Sequence, residues 1–334
     1  MIVLPILTGL LPVLLFLMTL IVLDSYKLVR ARWVLLAILA GITAAGLSLW
    51  INGTMLDVVD MNAILYTRYA APVVEESLKA GFVMFLLKTK RIGFMVDAAI
   101  FGFAVGAGFA LAENIYFLQA IETPNLLLWI LRGFGTAIMH GGTTAIFGVV
   151  SKNLSDRYPA KSAATFIPGI AAVIIIHSFF NHFFLPPVLE TLFFIIALPA
   201  VFVTVFKQSE RSTREWLGVG LDADMELLHV ITTGNLSDSN IGRYLHSLRE
   251  KFPGEMIADM ICLLRLHTEL ALRAKGILMM RNLGFSEAPD PEIREKFQEL
   301  RYLDKSLGAT GKLAIAPFLH TSSRDLWQIY MIEK

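Results

Sequence analysis

Seven long apolar runs crowd the first 206 residues, at 2–23 and about 33–51, 64–87, 94–118, 126–150, 163–183 and 188–206. Each is close to the ~20 helical residues that cross about 30 Å of hydrocarbon. So many runs leave a soluble fold too little polar surface. Charge divides the chain at the same place: residues 1–206 carry 12 Lys/Arg and 10 Asp/Glu, and residues 207–334 carry 17 and 18. The expected fold class is therefore all-α, a polytopic membrane helix bundle of about seven spans over 1–206, followed by a mainly helical cytosolic domain over 207–334. The first run has no basic flank before it, and Asp24-Ser25-Tyr26-Lys27 follows it instead of a small-residue cleavage site. It reads as a retained span and not as a signal peptide.

Basic residues set the orientation. Lys27, Arg30 and Arg32 fall in the first loop, Lys88, Lys90 and Arg91 in the third, Lys152, Arg157 and Lys161 in the fifth, and Lys207, Arg211 and Arg214 after the last span. The second, fourth and sixth loops have no Lys or Arg, but the second and fourth hold Asp57, Asp60 and Glu122. The alternation predicts a multi-pass protein of the cell membrane with its N-terminus outside and its C-terminal domain in the cytoplasm. A net charge of +1 excludes a nucleic-acid partner argued from bulk charge. The single cysteine, Cys262, excludes a disulfide framework and a thiolate metal site.

In the tail, the polar stretch 211–220 with Trp216 is suited to the membrane surface. Residues 256–280 have apolar positions at helical spacing with Thr268 as one interruption, and 237–252 and 290–307 are further helix candidates. Pro289 and Pro291 lie at the start of the last of these, and 308–311 breaks the pattern before a short ending with Phe318 and Trp327.

A charge at mid-bilayer costs roughly 3 kcal/mol or more unless paired or hydrated, so ionisable groups inside the spans mark function. Glu75-Glu76-Ser77-Leu78-Lys79 lies about 17 Å into the third span at 1.5 Å per residue. The two carboxylates point about 100° apart. Glu75 is one turn from Lys79 and is expected to pair with it, leaving Glu76 free. One carboxylate would then activate water or bind metal while the other orients a partner. Glu113-Asn114 follows Gly102, Gly106 and Gly108, which permit close helix approach. His140-Gly141-Gly142 is central in the fifth span, with Arg132 two turns earlier as a candidate counter-ion. His177 and Asn181 share a face of the sixth span, an arrangement suited to a metal ligand with a polar neighbour or to an oxyanion donor. His182 faces elsewhere, and Asp97, near the inner end of the fourth span, lies apart and reads as structural.

Carboxylates with histidines are the ligand chemistry of a hydrolytic zinc site, where a carboxylate also takes the proton of water. There is no His-Glu-x-x-His, no rhomboid-like Gly-x-Ser-Gly and no pair of intramembrane aspartates. By these span limits Glu113 is near the outer end and His140 about 21 Å along its helix, so the two meet only through a tilt or a kink.

In order along the chain, Glu75-Glu76-x-x-Lys79, Phe109-x-x-x-Glu113-Asn114, a lone His140 and His177-x-x-x-Asn181 resemble the PrsW family of intramembrane proteases, relatives of the CAAX-processing and bacteriocin-protection membrane proteases. The match covers roughly residues 60–185. Glu113 stands where the CAAX enzymes have a His, and the Tyr common four residues after that Glu is Phe117 here. The resemblance implies cleavage of a single-pass or other membrane-protein substrate in or near the bilayer, such as an anti-sigma factor. The site it implies has Glu75 or Glu76 as general base, with the Lys79 partner favouring Glu75, Asn181 at the oxyanion or a ligand, Lys79 and Asn114 in support, and His140, His177 and Glu113 as ligands of a zinc ion. A metal-free glutamic mechanism would use the same residues. An ion-coupled transporter or sensor, and an inactive scaffold whose tail recruits a cytosolic regulator, are the readings from other classes.

Overall fold

A computed structural model of the chain describes residues 3–24, 29–59, 61–120, 125–157, 163–233, 235–283, 285 and 291–319. Lys27, Asp60, Glu122 and Lys161 of the loops, and Pro289 and Trp327 of the tail, lie outside the described residues, as does the side chain of Arg157. The described residues are helical throughout, with no strand among them. The chain divides into two compact units, Met1–Glu210 and Arg211–Lys334.

In the first unit, α1 (Val3–Val22) and α2 (Ala31–Val58) precede a short α3 (Ala63–Leu65), which runs through a π-turn (Tyr66–Ala70) directly into α4 (Ala71–Lys88). Next come α5 (Met95–Ala120) and α6 (Leu126–Leu131), and a second π-turn (Arg132–Thr136) leads into α7 (Ala137–Arg157). The helix α8 (Ile167–His182) follows, and the long α9 (Pro187–Thr232) begins in this unit and ends in the second. By length and composition α2, α5 and α9 are able to cross a membrane, and Ile6–Val22 and Ile167–His182 are shorter apolar helices. In α4, Glu75, Glu76 and Lys79 lower the mean hydropathy, and the apolar run of α6 and α7 is divided by the second π-turn.

Helix ends follow local chemistry. Asn62 accepts the Ile64 N–H at 2.8 Å, Asn125 accepts the Leu127 N–H at 3.0 Å, and Pro168 sits in the first turn of α8, where no N–H is missed. Phe183, with φ +51°, ends α8. Asp97 accepts the N–H groups of Gly93 (2.9 Å) and Phe94 (3.0 Å), so it fastens the entry to α5.

The helix α5 is the centre of the unit, buried along most of its length between α2 and α7. Glycines make this close approach achievable. A β-carbon on Gly106 would overlap the His140 carbonyl of α7, one on Gly102 would meet the Thr144 carbonyl at 2.5 Å, and one on Gly108 would overlap the Ile38 carbonyl of α2. Two boundaries differ from the apolar runs. The helix α2 continues to Val58, because Asn52, which would otherwise end the apolar stretch, finds partners in Ser48 and Tyr66. The helix α9 continues through 211–220.

In the second unit, α10 (Asn240–Ser247), α11 (Gly254–Asn282) and α12 (Pro291–Ile315) enclose a core that includes Leu245, Met260, Leu264, Phe297 and Leu307. Thr268, the polar interruption of the α11 stripe, donates to the Leu264 carbonyl at 2.8 Å. Buried Lys275 pairs with Asp224 at 2.7 Å. Gly308, at φ +62°, kinks α12 in a conformation that L side chains rarely adopt.

Replacing Gly106 by leucine is expected to separate α5 from α7, lowering stability by about 1–3 kcal/mol or more and abolishing proteolysis. Gly46→Ala, at an open helix position, should change stability by no more than about 1 kcal/mol. Thermal unfolding of both variants in detergent checks the contrast.

Candidate active site

Four helices deliver the ionisable residues to one place: Glu75, Glu76 and Lys79 from α4, Glu113 from α5, His140 from α7 and His177 from α8. Glu76 is the most enclosed carboxylate. Its Oε1 accepts from Lys79 Nζ at 2.6 Å and from the Thr143 hydroxyl at 3.3 Å, and lies 2.7 Å from His177 Nδ1. The expected Glu75–Lys79 pair is thereby corrected: Lys79 bonds the carboxylate three residues back, and Glu76 is the one that is not free. The reason is location. Glu76 and Lys79 both face the buried side of α4, where an unpaired charge of either sign would be costly.

Glu75 faces a different sector. One oxygen lies 3.5 Å from the Asn52 amide nitrogen, and the other lies 3.8 Å from His177 Nε2. The His140 and His177 rings meet edge to face with centroids 4.9 Å apart. Glu75, His140 and His177 each offer a ligand atom within 4.8 Å of the others. Zinc at 2.0–2.1 Å from imidazole nitrogens holds tetrahedral ligands roughly 3.4 Å apart, so a small side-chain movement would close this set around an ion. Glu76 on His177 Nδ1 is the carboxylate–histidine arrangement that leaves Nε2 for a metal.

Glu113 borders the same cluster from the other side. Its Oε2 lies 3.3 Å from His140 Nε2 and 3.2 Å from Arg132 Nη2, yet it is buried without a hydrogen bond of good geometry. A carboxylate oxygen without a well-formed hydrogen bond, beside an imidazole and a guanidinium, fits a site that receives an ion or a water. The tilt or kink that the span limits demanded is only partly needed. The two helices pack antiparallel, and each side chain leans toward its own N-terminus, so Glu113 and His140 lean toward one another. The π-turn at Arg132–Thr136 re-aims α7 just before His140.

The remaining sequence-predicted residues lie around this cluster. Asn114 is buried between α1 and Arg132, giving its amide nitrogen to the Gly9 carbonyl at 2.7 Å and accepting Arg132 Nε at 2.9 Å. Arg132 is accordingly the partner of Glu113. Asn181 donates to the Thr67 carbonyl at 2.9 Å, and Ser178 donates to that of Arg68 at 2.6 Å, so both engage the first π-turn. His182 packs on Tyr69. Thr143, Asn52 and Tyr66 are participants that sequence reading passed over. Tyr66 donates its hydroxyl to Asn52 at 3.0 Å. Thr143 had a signal, three residues after His140 on the same helix face. Asn52 had none, because it falls where the apolar run ends.

No curated protein sequence and no solved structure matches the chain. The model of the PrsW family, described as intramembrane metalloproteases, matches residues 29–206, which hold every member of the cluster. The chain belongs to that family and is an intramembrane protease.

Proposed function

We propose that the protein is an endopeptidase that hydrolyses a peptide bond of a single-pass membrane protein in or near the bilayer. The carrying observation is the buried Glu75–His140–His177 cluster. Family membership makes an anti-sigma factor, cut in a regulated cascade, the favoured substrate class. The seven-span arrangement, with the unit from Arg211 in the cytoplasm and open to a cytosolic regulator there, rests on the alternating basic loops. The continuous helical runs through both π-turns support it.

His140, His177 and Glu75 would hold a divalent ion, with zinc suited to the nitrogen and oxygen donors. Such an ion supplies Lewis acidity and makes water acidic enough to be deprotonated near neutral pH. Glu113, on the far side of His140, takes the proton of the attacking water. As the water oxygen bonds to the carbonyl carbon and the C–N bond breaks, that proton passes to the leaving amine. Glu76 orients His177 through Nδ1, and Lys79 balances the Glu76 charge. This assignment exchanges the roles that the resemblance implied for Glu75 and Glu113, because Glu75 is the carboxylate with an oxygen within 4.8 Å of a nitrogen of each imidazole.

One observation favours a metal-free reading. Lys79 Nζ lies 3.0 Å from His140 Nδ1. An ammonium can only donate, so this contact puts the neutral ring's proton on Nε2, facing Glu113. In that state Glu75 activates water and the histidines act as donors to the oxyanion.

Elemental analysis separates the two. Near-stoichiometric zinc in purified protein, lost in His140→Ala and His177→Ala, is the expected result. Full activity in metal-free, chelator-treated protein would establish the glutamic reading instead. The carboxylate roles are separated by conservative replacement. Glu75→Gln should lose both metal and activity, while Glu113→Gln should keep the metal and lose about 10²–10⁴-fold in kcat. The opposite pattern would restore Glu113 as ligand and Glu75 as base.

A further inference from the structure

Asn114, Arg132 and Gly9 form a continuous polar link that the family match does not explain, since Gly9 lies in α1 and the match begins at residue 29. Arg132 opens the second π-turn, and three contacts fix its guanidinium. Nε donates to Asn114 Oδ1 at 2.9 Å, Nη2 lies 3.2 Å from Glu113 Oε2, and the guanidinium carbon lies 3.9 Å from the centre of the Phe117 ring. Asn114 is held at both ends of its amide, because its nitrogen donates to the Gly9 carbonyl at 2.7 Å. The helix α1 can come this close only where side chains are absent. A β-carbon on Gly9 would meet the Trp129 ring at 3.2 Å, and one on Gly133 would overlap the Thr8 carbonyl.

We propose that Arg132 and Asn114 are positioning residues that hold Glu113 against His140, and that the first helix, through Gly9, anchors them. The proposal rests on the reading of Glu113 as a working carboxylate. A glutamate side chain in isolation has several rotamers, and the one facing His140 must be occupied before substrate arrives. An ion pair with an arginine that is stacked on Phe117 and bonded to Asn114 removes that freedom in advance. Lysine would not reproduce it, because its ammonium has no planar fork to hold fixed donor directions while stacking on the Phe117 ring. The same contacts explain why Asn114 is adjacent to Glu113. Neighbouring helical positions diverge by about 100°, so one side chain turns toward the site and the other toward α1.

The test uses full-length protein in proteoliposomes with a fluorogenic single-span substrate, read in single-turnover mode so that weak variants remain measurable. Arg132→Gln is expected to lower kcat by about 10–100-fold, with KM within two-fold of the parent, and Arg132→Lys is expected to recover only part of the loss. The double variant Arg132→Gln/Glu113→Gln should be no slower than Glu113→Gln alone, because the arginine acts through that carboxylate. Gly9→Leu, which touches neither Glu113 nor Arg132, should lower kcat in the same direction and add nothing to Arg132→Gln. It also serves if Arg132→Gln does not fold. The infrared carboxylate band that disappears in Glu113→Gln should shift in Arg132→Gln and in Gly9→Leu. Multiplicative losses in the double variant, or an unshifted band, would reduce the link to a packing element and overturn the proposal. An inactive Glu113→Gln beside a fully active Arg132→Gln removes the link alone. A fully active Glu113→Gln removes the reading of Glu113, and the link's role with it.

Discussion

A charged group can stay in hydrocarbon only if other groups replace its water. Glu76 meets that condition with a lysine on its own helix, an imidazole from α8 and a hydroxyl from α7, all directed at one oxygen. Taking away one partner of a buried pair typically costs about 3–5 kcal/mol, more than the pair itself contributes. The helices α4, α7 and α8 are therefore tied at the point where the chemistry is located. The glycines of α5 allow α7 to reach that point. Packing and site are one construction, and the strictness of the requirement limits how the bundle can be assembled.

Much of this was legible in the residues. Apolar runs located the helices of the first unit, since a span has to be long and apolar whatever its neighbours are. The four polar motifs identified Glu75, Glu76, Lys79, Glu113, His140 and His177 as residues to consider together, because each would be costly in isolation. What could not be read was direction. Spacing placed both Glu75 and Glu76 one turn from Lys79, and only the surroundings supplied by α7 and α8 choose between them. Asn52 was read as loop, because the apolar pattern stops there while the helix does not. The ties from Asn114 to Gly9 and from Asn181 to Thr67 each cross more than a hundred positions of sequence, a distance over which spacing carries no information.

The adjacent glutamates divide their work by environment. Glu76 gives one oxygen to three neighbours at once. Glu75 keeps an oxygen beside His177 and is restrained from behind by the weaker contact with Asn52. Glu113 mirrors it beside His140, restrained by Arg132. Two imidazoles in contact, with one carboxylate at each side, form a nearly symmetric arrangement. That near-symmetry is why ligand and base are hard to tell apart by residue type.

Both π-turns occur in the same relation to the site, one ahead of Glu75 and Glu76 and the other ahead of His140. A π-turn takes an additional residue into one turn of helix, so everything after it is rotated relative to an uninterrupted α-helix. The outer part of each of these helices can thus meet lipid and neighbouring helices in one phase while the inner part presents its reactive groups in another. The two surfaces are free to diverge separately in sequence. The loss of a single residue from either turn would leave a helix of acceptable length and hydrophobicity whose catalytic face looks the wrong way.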